Sequence, residues 1–158
     1  MTHLQTVEEQ GVKKQERLIV ELSPVGYHKA PSIDQVGEWL EHMLTGLKHW
    51  HSLAYCHGDV SWRNIVFVPT ERNGDYWMLI DLDKSHVSNT TVIEWSHRHQ
   101  GQKLRMEHDL SQLGGLMETL PFTLPANMKS MQEILLTAID TSGLTANAAL
   151  TKLGAFLR

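Results

Sequence analysis

The sequence has little cysteine, no long apolar run and no large excess of either charge. Cys56 is the only cysteine among 158 residues, so the chain cannot form an internal disulfide and nothing in it requires an oxidising compartment. No apolar run is long enough to span a bilayer. The formal net charge of −4 gives no general attraction to nucleic acid or acidic membranes. We therefore do not expect a disulfide-stabilised scaffold, a membrane-spanning protein or a basic nucleic-acid binder.

The length and the amino terminus set the expected organisation. A chain of 158 residues fits one domain of ordinary size. Residues 1–16 are polar and lack the apolar centre of a signal peptide, so we expect an intracellular protein of the cytoplasm or nucleus. We expect residues 1–16 to form a polar arm, either loose or the end of a lost strand, and residues 17–158 to form the domain.

The chain contains one conspicuous arrangement, a polar loop followed by two short apolar runs. The loop is HGDVSWRN (57–64), and the runs are IVFV (65–68) and WMLI (77–80). Asn73-Gly74 lies between the runs and is a strong signal for a tight turn. The pattern predicts a β-hairpin over residues 64–82.

Folding this hairpin brings three oxygen-bearing side chains toward one place. Asn64 begins the hairpin, Asp81 ends it, and Asp59 lies in the loop just before it. Two carboxylates and one amide oxygen form a hard set of ligands. Such ligands suit Mg²⁺ or Mn²⁺, and Mg²⁺ usually keeps several waters and binds substrate phosphates. An ordinary hairpin with a polar loop is the alternative interpretation.

The loop, the hairpin and the second Asp together resemble the catalytic core of the protein-kinase-like fold. His57-Gly58-Asp59 is similar to the HGD of aminoglycoside and choline phosphotransferases, and Asp81-Leu82-Asp83 stands where protein kinases have DFG. The segment LIDLDKS (79–85) resembles the corresponding segment of fungal-type protein kinases and of the kinase-like domains of Crinkler effectors. The resemblance covers roughly residues 17–120.

The resemblance implies a role for each polar residue of the site. Asp59 would be the catalytic residue that orients the proton of an attacking hydroxyl, with Asn64 assisting in the same loop. Asn64 and Asp81 would hold Mg²⁺ against the phosphates of ATP. His57 would support the loop structurally. Asp109 lies in a segment that resembles the helix beneath the kinase catalytic loop, so it would accept hydrogen bonds from the loop backbone.

Three other features near the loop have competing interpretations. Residues 17–31 resemble the kinase hinge strand and linker, where the backbone at Glu21 and Leu22 would receive the adenine; a plain strand and loop is the alternative. Arg63 is equally consistent with a phosphate contact and with a solvated side chain. His49 and His51 point about 200° apart on a helix, so we expect a partly exposed helix end and no zinc site.

The remaining chain is predicted to be mainly helical. Ser32-Ile33-Asp34-Gln35 has the form of a capping box, and the following apolar period of 3.6 predicts a helix with one buried face; a break near Gly37 is plausible. By the kinase-like resemblance, residues 57–83 would form the catalytic loop and the metal-binding hairpin. Residues 84–104 resemble an activation segment but lack the APE motif, and residues 105–158 form a helical subdomain.

The predicted fold class is α+β, mainly α, of the protein-kinase-like large-lobe type with the small lobe largely absent. The sequence has no G-x-G-x-x-G and no strand lysine of the V-A-I-K kind. The chain is then a piece of a longer kinase, a naturally reduced protein, or one completed by a partner or a second copy. In each case we expect exposed apolar surface near residues 18–24 and 65–80.

Two functions follow from these features. The first is an Mg²⁺/ATP-dependent phosphotransferase, or its catalytic large lobe, that transfers the γ-phosphoryl group to a hydroxyl, most simply a Ser or Thr of a protein substrate. The alternative is a catalytically silent, pseudokinase-like module that acts by protein binding, as an effector could. Asp59, Asn64 and Asp81 favour chemistry, whereas the missing lysine and Gly-rich loop favour silence. Neither function calls for nucleic acid or a membrane.

Overall fold

The described part of the chain is an α+β structure that is mainly helical. The computed structural model describes residues 25–141 and 143–157, together with the backbone of two strands nearer the amino terminus. Its short strands pair antiparallel in three separate two-stranded sheets: Thr2–Gln5 (β1) with Arg17–Val20 (β2), Tyr55–Cys56 (β3) with His86–Val87 (β6), and Ile65–Val68 (β4) with Tyr76–Leu79 (β5). The helices are α1 (Val36–Ser52), α2 (Met106–Glu118), α3 (Ala126–Leu136) and α4 (Ala146–Phe156).

Helix α1 follows the expected start signal but begins at Val36, after the four-residue box. The Gln35 side chain accepts a hydrogen bond from the backbone N–H of Ser32 at 3.3 Å. The expected break at Gly37 is wrong, because the helix runs unbroken to Ser52. A Cβ at Gly37 would lie 2.9 Å from a methyl carbon of Leu157, so the missing side chain makes room for the end of α4.

The predicted β-hairpin is present. Strand β4 pairs with β5 in the register Ile65↔Leu79 to Val68↔Tyr76. Gly74 in the connection has a φ of +76°, a conformation that glycine adopts at no steric cost. This register fixes which residues meet at the open end of the hairpin.

The second edge of β4 is covered by the loop that precedes α1. Tyr27 and Phe67 exchange two backbone hydrogen bonds at 3.0 and 2.8 Å. The ammonium of Lys29 lies 4.0 Å from the centre of the Phe67 ring, a distance at which a cation is attracted to the ring face. Because of this cover, the hairpin does not present a long bare edge.

The main core lies between α1, the hairpin and the three later helices. Helix α1 packs against α4 and β5, and α2 packs against α3. Burying a side chain of Leu or Met size stabilises the fold by about 1.5–3 kcal/mol relative to exposure, so this face of α1 provides much of the stability. Its largest fully buried members on α1 are Trp39, Leu40, Met43, Leu44 and Leu47.

The amino-terminal strand pair and the surface of the hairpin can be compared with what the sequence predicts. Of the two alternatives for residues 1–16, a strand is found at Thr2–Gln5, paired with Arg17–Val20. The expected exposed apolar surface over residues 65–80 is found only in part: Ile65, Phe67 and Trp77 are at most 3% exposed, whereas residues 78–80 are half-buried. The side chains of residues 18–24, for which the same was expected, lie outside the described part of the chain. None of the described helices has the length and apolar character needed to cross a bilayer.

Candidate functional site

The loop between β3 and β4 is shaped by one glycine. Gly58 has a φ of +84°, in the left-handed region that side chains other than glycine rarely adopt. A Cβ at this position would lie 2.3 Å from the carbonyl oxygen of Lys84. Residue 58 must therefore be glycine both for its backbone conformation and for the close approach of the following segment.

A buried carboxylate on α2 accepts hydrogen bonds from the backbone of the same loop. Asp109 is fully buried and accepts hydrogen bonds from the backbone N–H of His57 at 2.7 Å and of Gly58 at 2.8 Å. These are the loop-backbone contacts that the kinase-like resemblance implies for this residue. A buried charge is costly unless it is paired or hydrogen-bonded, so Asp109 and the loop backbone stabilise each other.

His51 is a third partner of Asp109 that the sequence interpretation missed. Its Nε2 lies 2.8 Å from Asp109 Oδ2, and its side chain is only 7% exposed. The end of α1 is partly exposed, as expected, since His49 is exposed and His51 is half-buried as a whole residue, but the His51 ring is directed to Asp109. The helical period indicates the inward direction of His51, because His51 lies four residues after the buried Leu47 and therefore on the same face of α1.

His57 connects the loop to the end of the hairpin. Its Nε2 donates to the carbonyl oxygen of Ile80 at 3.0 Å, and its Nδ1 accepts from the backbone N–H of Asp59 at 3.3 Å. Both ring nitrogens are engaged with the backbone and the side chain is buried. This arrangement gives His57 a supporting place in the loop.

Asp59 and Asn64 are in direct contact. Asn64 Nδ2 donates to the backbone oxygen of Asp59 at 2.9 Å and to its Oδ2 at 3.0 Å. Since the Asn64 nitrogen faces Asp59, its amide oxygen is the atom left for another ligand. Asn64 is 3% exposed, and the short helical turn Trp62–Asn64 fixes its position.

Arg63 pairs with the same carboxylate from the solvent side. Its Nη2 lies 2.5 Å from Asp59 Oδ2, and the Arg63 side chain is 73% exposed. The bond to Asp59 raises the pKa of Arg63, and the charges of Asp59 and then Asp81 add to this. Arg63 is therefore paired with Asp59, although its side chain is at the surface.

Asp81 follows the hairpin at the level of Asn64. The backbone N–H of Ile80 donates to the Asn64 carbonyl oxygen at 2.8 Å, so Asp81 lies one residue beyond that pair. Asp81 has a φ of +66°, which Asp tolerates better than most residues, and its Oδ1 accepts the backbone N–H of Asp83 at 3.1 Å. The turn leaves Asp81 exposed to solvent.

The donor set fits a hard cation that keeps part of its water shell. Within the described residues, no group of three or more His, Cys, Asp and Glu side chains is placed to hold a metal ion. The candidate set has only two carboxylates, Asp59 and Asp81, with the amide oxygen of Asn64. Mg²⁺ is commonly bound by one or two carboxylates with waters and substrate phosphates, which is compatible with this set.

A groove between α1 and β5 opens beside this site. It has a cavity volume of about 320 Å³ and a mostly apolar lining. His57 and Asp81 are at one side of it, and aromatic side chains form much of the rest, among them Trp50, Tyr76 and Trp77. Of the three candidate site residues, Asp81 therefore borders the groove, whereas Asp59 and Asn64 do not line it.

Cys56, immediately before the loop, is not a nucleophile in this fold. Burial, with the charge of Asp109 adding, raises the pKa of its thiol to about 12. A thiol attacks as its thiolate, so Cys56 stays protonated and inert at neutral pH.

Comparison with known proteins adds no family to this description. No protein-family model matches the chain, and none of the curated proteins matches it in sequence. The predicted adenine-contact residues Glu21 and Leu22 lie outside the described residues. Function must therefore be inferred from the geometry around Asp59, Asn64 and Asp81.

Proposed function

We propose that this chain is an Mg²⁺/ATP-dependent phosphotransferase of the protein-kinase-like superfamily, of the large-lobe type, that acts on a hydroxyl of a protein Ser or Thr. The observation that carries the proposal is the buried Asp109, which binds two successive N–H groups of the HGD loop. This support orients the loop so that Asp59 meets Asn64. Asp81 follows at the same end of the hairpin.

Asp59 is the residue we assign to the acceptor hydroxyl. Its carboxylate is only 20% exposed and is oriented by the Asn64 amide, which lets it accept or align one proton in a fixed direction. Arg63 now occupies one of its oxygens. An acceptor hydroxyl would bind either to the other oxygen or in place of Arg63, whose exposed side chain is free to move toward a phosphate.

Asn64 and Asp81 are the residues we assign to the cation. When bound, Mg²⁺ would neutralise negative charge on the nucleotide phosphates. The amide oxygen of Asn64 is fixed by the two bonds of its nitrogen to Asp59. The Asp81 carboxylate is accessible from solvent, as a nucleotide-bound cation requires.

The test is a thermal-shift measurement with ATP and Mg²⁺ or Mn²⁺, followed by a turnover assay. We expect the wild-type melting temperature to rise with nucleotide and metal, and Asp81→Asn to abolish that rise. Asp59→Ala should keep the rise but lose turnover by about 10²–10⁴-fold. Asp83→Asn is the matched control, because it makes the same charge change two residues from Asp81 at an exposed position.

Two outcomes would contradict the assignments. A thermal shift of wild-type size in Asp81→Asn would remove Asp81 from the cation site. Unchanged turnover in Asp59→Ala would remove Asp59 from its role.

The second candidate function is a catalytically silent module that binds a protein. It is favoured by the groove between α1 and β5, where half-buried apolar side chains such as Met78, Leu79 and Ile80 line an open surface. The absence of any thermal shift at millimolar nucleotide would favour this function over phosphoryl transfer.

A further inference from the structure

Positive charge is concentrated in one segment of an acidic chain. Residues 84–105, which we call the basic segment, contain Lys84, Arg98, Lys103 and Arg105 against the single acid Glu94. The net charge of the basic segment is thus +3, which leaves −7 for the rest of a chain whose total is −4. Three histidines also lie in it, at positions 86, 97 and 99. This separation of charge sets the basic segment apart from the rest of the surface.

Three points of the basic segment converge on Gly58, next to the candidate catalytic Asp59. The indole N–H of Trp95 donates to the Gly58 carbonyl oxygen at 2.9 Å. A Cβ at Gly58 would lie 2.3 Å from the Lys84 oxygen and 3.3 Å from a methyl carbon of Leu104. The beginning, middle and end of the basic segment are therefore all gathered at the residue before Asp59.

Cationic residues are among these contact residues or next to them in the chain. Lys84 is itself one of the contact residues, and Lys103 and Arg105 flank Leu104 in the chain. The ammonium of Lys84 lies 5.7 Å from the centre of the Trp95 ring. His86 covers the same ring, with centres 5.8 Å apart and planes 22° apart.

Two of the four cations are not committed to an acidic partner. Arg98 lies 3.8 Å from Glu118, and Arg105 lies 3.8 Å from Glu107. Within residues 25–141 and 143–157, neither Lys84 nor Lys103 forms an ion pair. Both are exposed, so their charges are available to a binding partner.

The carboxylates near the loop do not cancel this charge. Asp59 is already paired with Arg63, and Asp81 is assigned to the metal ion under the proposed function. An anionic acceptor at the loop would therefore meet the charges of the basic segment beside one carboxylate that is already paired and one that is assigned to the cation. Opposite potentials of this kind steer association and favour one class of partner.

We propose that the basic segment binds an acidic peptide and that the acceptor Ser or Thr is flanked by Glu, Asp or phosphorylated residues. This inference rests on the proposed phosphotransferase function for the acceptor hydroxyl and for the cation assigned to Asp81; the exposed charges of Lys84 and Lys103 do not depend on it. A peptide is favoured over a nucleic acid because the −7 charge elsewhere on the chain repels a long polyanion. A short acidic peptide needs only the local charge of Lys84 and Lys103.

The test is fluorescence anisotropy with three labelled peptides that share one central Ser. The flanks are glutamate, phosphoserine or lysine, and the protein is the full chain. We expect both acidic peptides to bind at least tenfold more tightly than the lysine peptide, with affinity falling as salt rises. The double variant Lys84→Glu/Lys103→Glu should lose at least tenfold of the acidic-peptide affinity. Lys152→Glu on α4 is the matched control and should change it less than twofold.

The outcomes separate this inference from the proposed function. Acidic-peptide binding without a nucleotide thermal shift would support the surface and overturn the phosphotransferase. A nucleotide thermal shift with equal binding of the lysine and glutamate peptides would overturn the surface alone. Tighter binding of a single-stranded oligonucleotide of matched charge than of either acidic peptide would also overturn it.

Discussion

At the scale of single residues, the loop depends on two positions that allow little substitution. Asp109 satisfies two backbone N–H groups and one histidine from a fully buried site. Gly58 combines a left-handed backbone with the closest approach of the basic segment. Both residues act on Asp59 indirectly, because they fix the backbone from which its side chain extends.

Gly58→Ala and Gly74→Ala form a matched pair that isolates the close approach. Both glycines have positive φ, so each alanine should cost about 1–2 kcal/mol in backbone conformation. Only at Gly58 does the new Cβ meet the Lys84 oxygen, whereas nothing lies within 4 Å at Gly74. Gly58→Ala should therefore lose a further amount of about 1–3 kcal/mol. Urea unfolding of the two variants measures the difference, and equal losses would show that the segment does not press on the loop.

The sequence allowed some of these residues to be placed and not others. The adjacency of Asp59 and Asn64 follows from a loop too short to separate them. The sequence does not predict the hydrogen bond from Arg63 to Asp59, because spacing alone does not distinguish a paired arginine from a solvated one. The contact between His51 and Asp109 could not be predicted, because the two residues are 58 positions apart in sequence and no local pattern indicates such a pairing.

At the scale of elements, the junction between the basic segment and α2 is built on neutral histidines. His108 Nδ1 accepts the backbone N–H of Arg105 at 3.0 Å, and its Nε2 faces the Gln102 side-chain oxygen at 2.9 Å. Burial lowers the pKa of His108. Burial, with the charges of His108 and Arg98 adding, lowers the pKa of His99.

This junction predicts a loss of stability in mild acid. The unfolded histidines have a pKa of about 6.5, above their folded values, so the unfolded chain takes up more protons as the pH falls below that point. The free energy of unfolding should therefore be flat above about pH 7.5 from these groups, and fall below 6.5 by up to about 1.4 kcal/mol per pH unit for each histidine. Urea unfolding from pH 7.5 to 5.5 measures the slope.

Two variants test whether the pH dependence of the free energy of unfolding arises at this junction. His99→Gln should reduce it, because one buried titrating group is removed. His97→Gln is the control, since His97 is exposed two residues away, and should leave it unchanged. Equal slopes in both variants would place the acid sensitivity elsewhere.

The elements themselves were predictable to different degrees. The hairpin followed from Asn73-Gly74 between two apolar runs, and its strands lie inside the predicted range. The break at Gly37 was wrong because local propensity favours it, whereas packing against Leu157, far along the chain, tolerates the glycine. Helix α1 was predictable as an element, but its continuity depends on a contact that only the folded chain makes.

At the scale of the whole molecule, one core supports both the helices and the site. The buried face of α1 contacts the hairpin and α4, and Val60, next to Asp59, belongs to the same core, so the loop is anchored in that core. The predicted exposed apolar surface over the hairpin is reduced at Phe67, because Tyr27 and Lys29 fold back over that residue, whereas Met78 and Leu79 stay half-buried. The sequence does not predict this contact, since no local pattern in residues 25–31 indicates that they pack against the hairpin.

The central claim is that Asp59, Asn64 and Asp81 gather around one divalent cation. The most direct test is paramagnetic line broadening by Mn²⁺ and ATP in the amide NMR spectrum of the full chain. We predict that the signals of these three residues broaden first and that Gly74, at the far end of a hairpin whose strands rise about 3.3 Å per residue, stays sharp. Asp81→Asn should remove the effect. Broadening centred elsewhere, or none at saturating Mn²⁺, would contradict the claim.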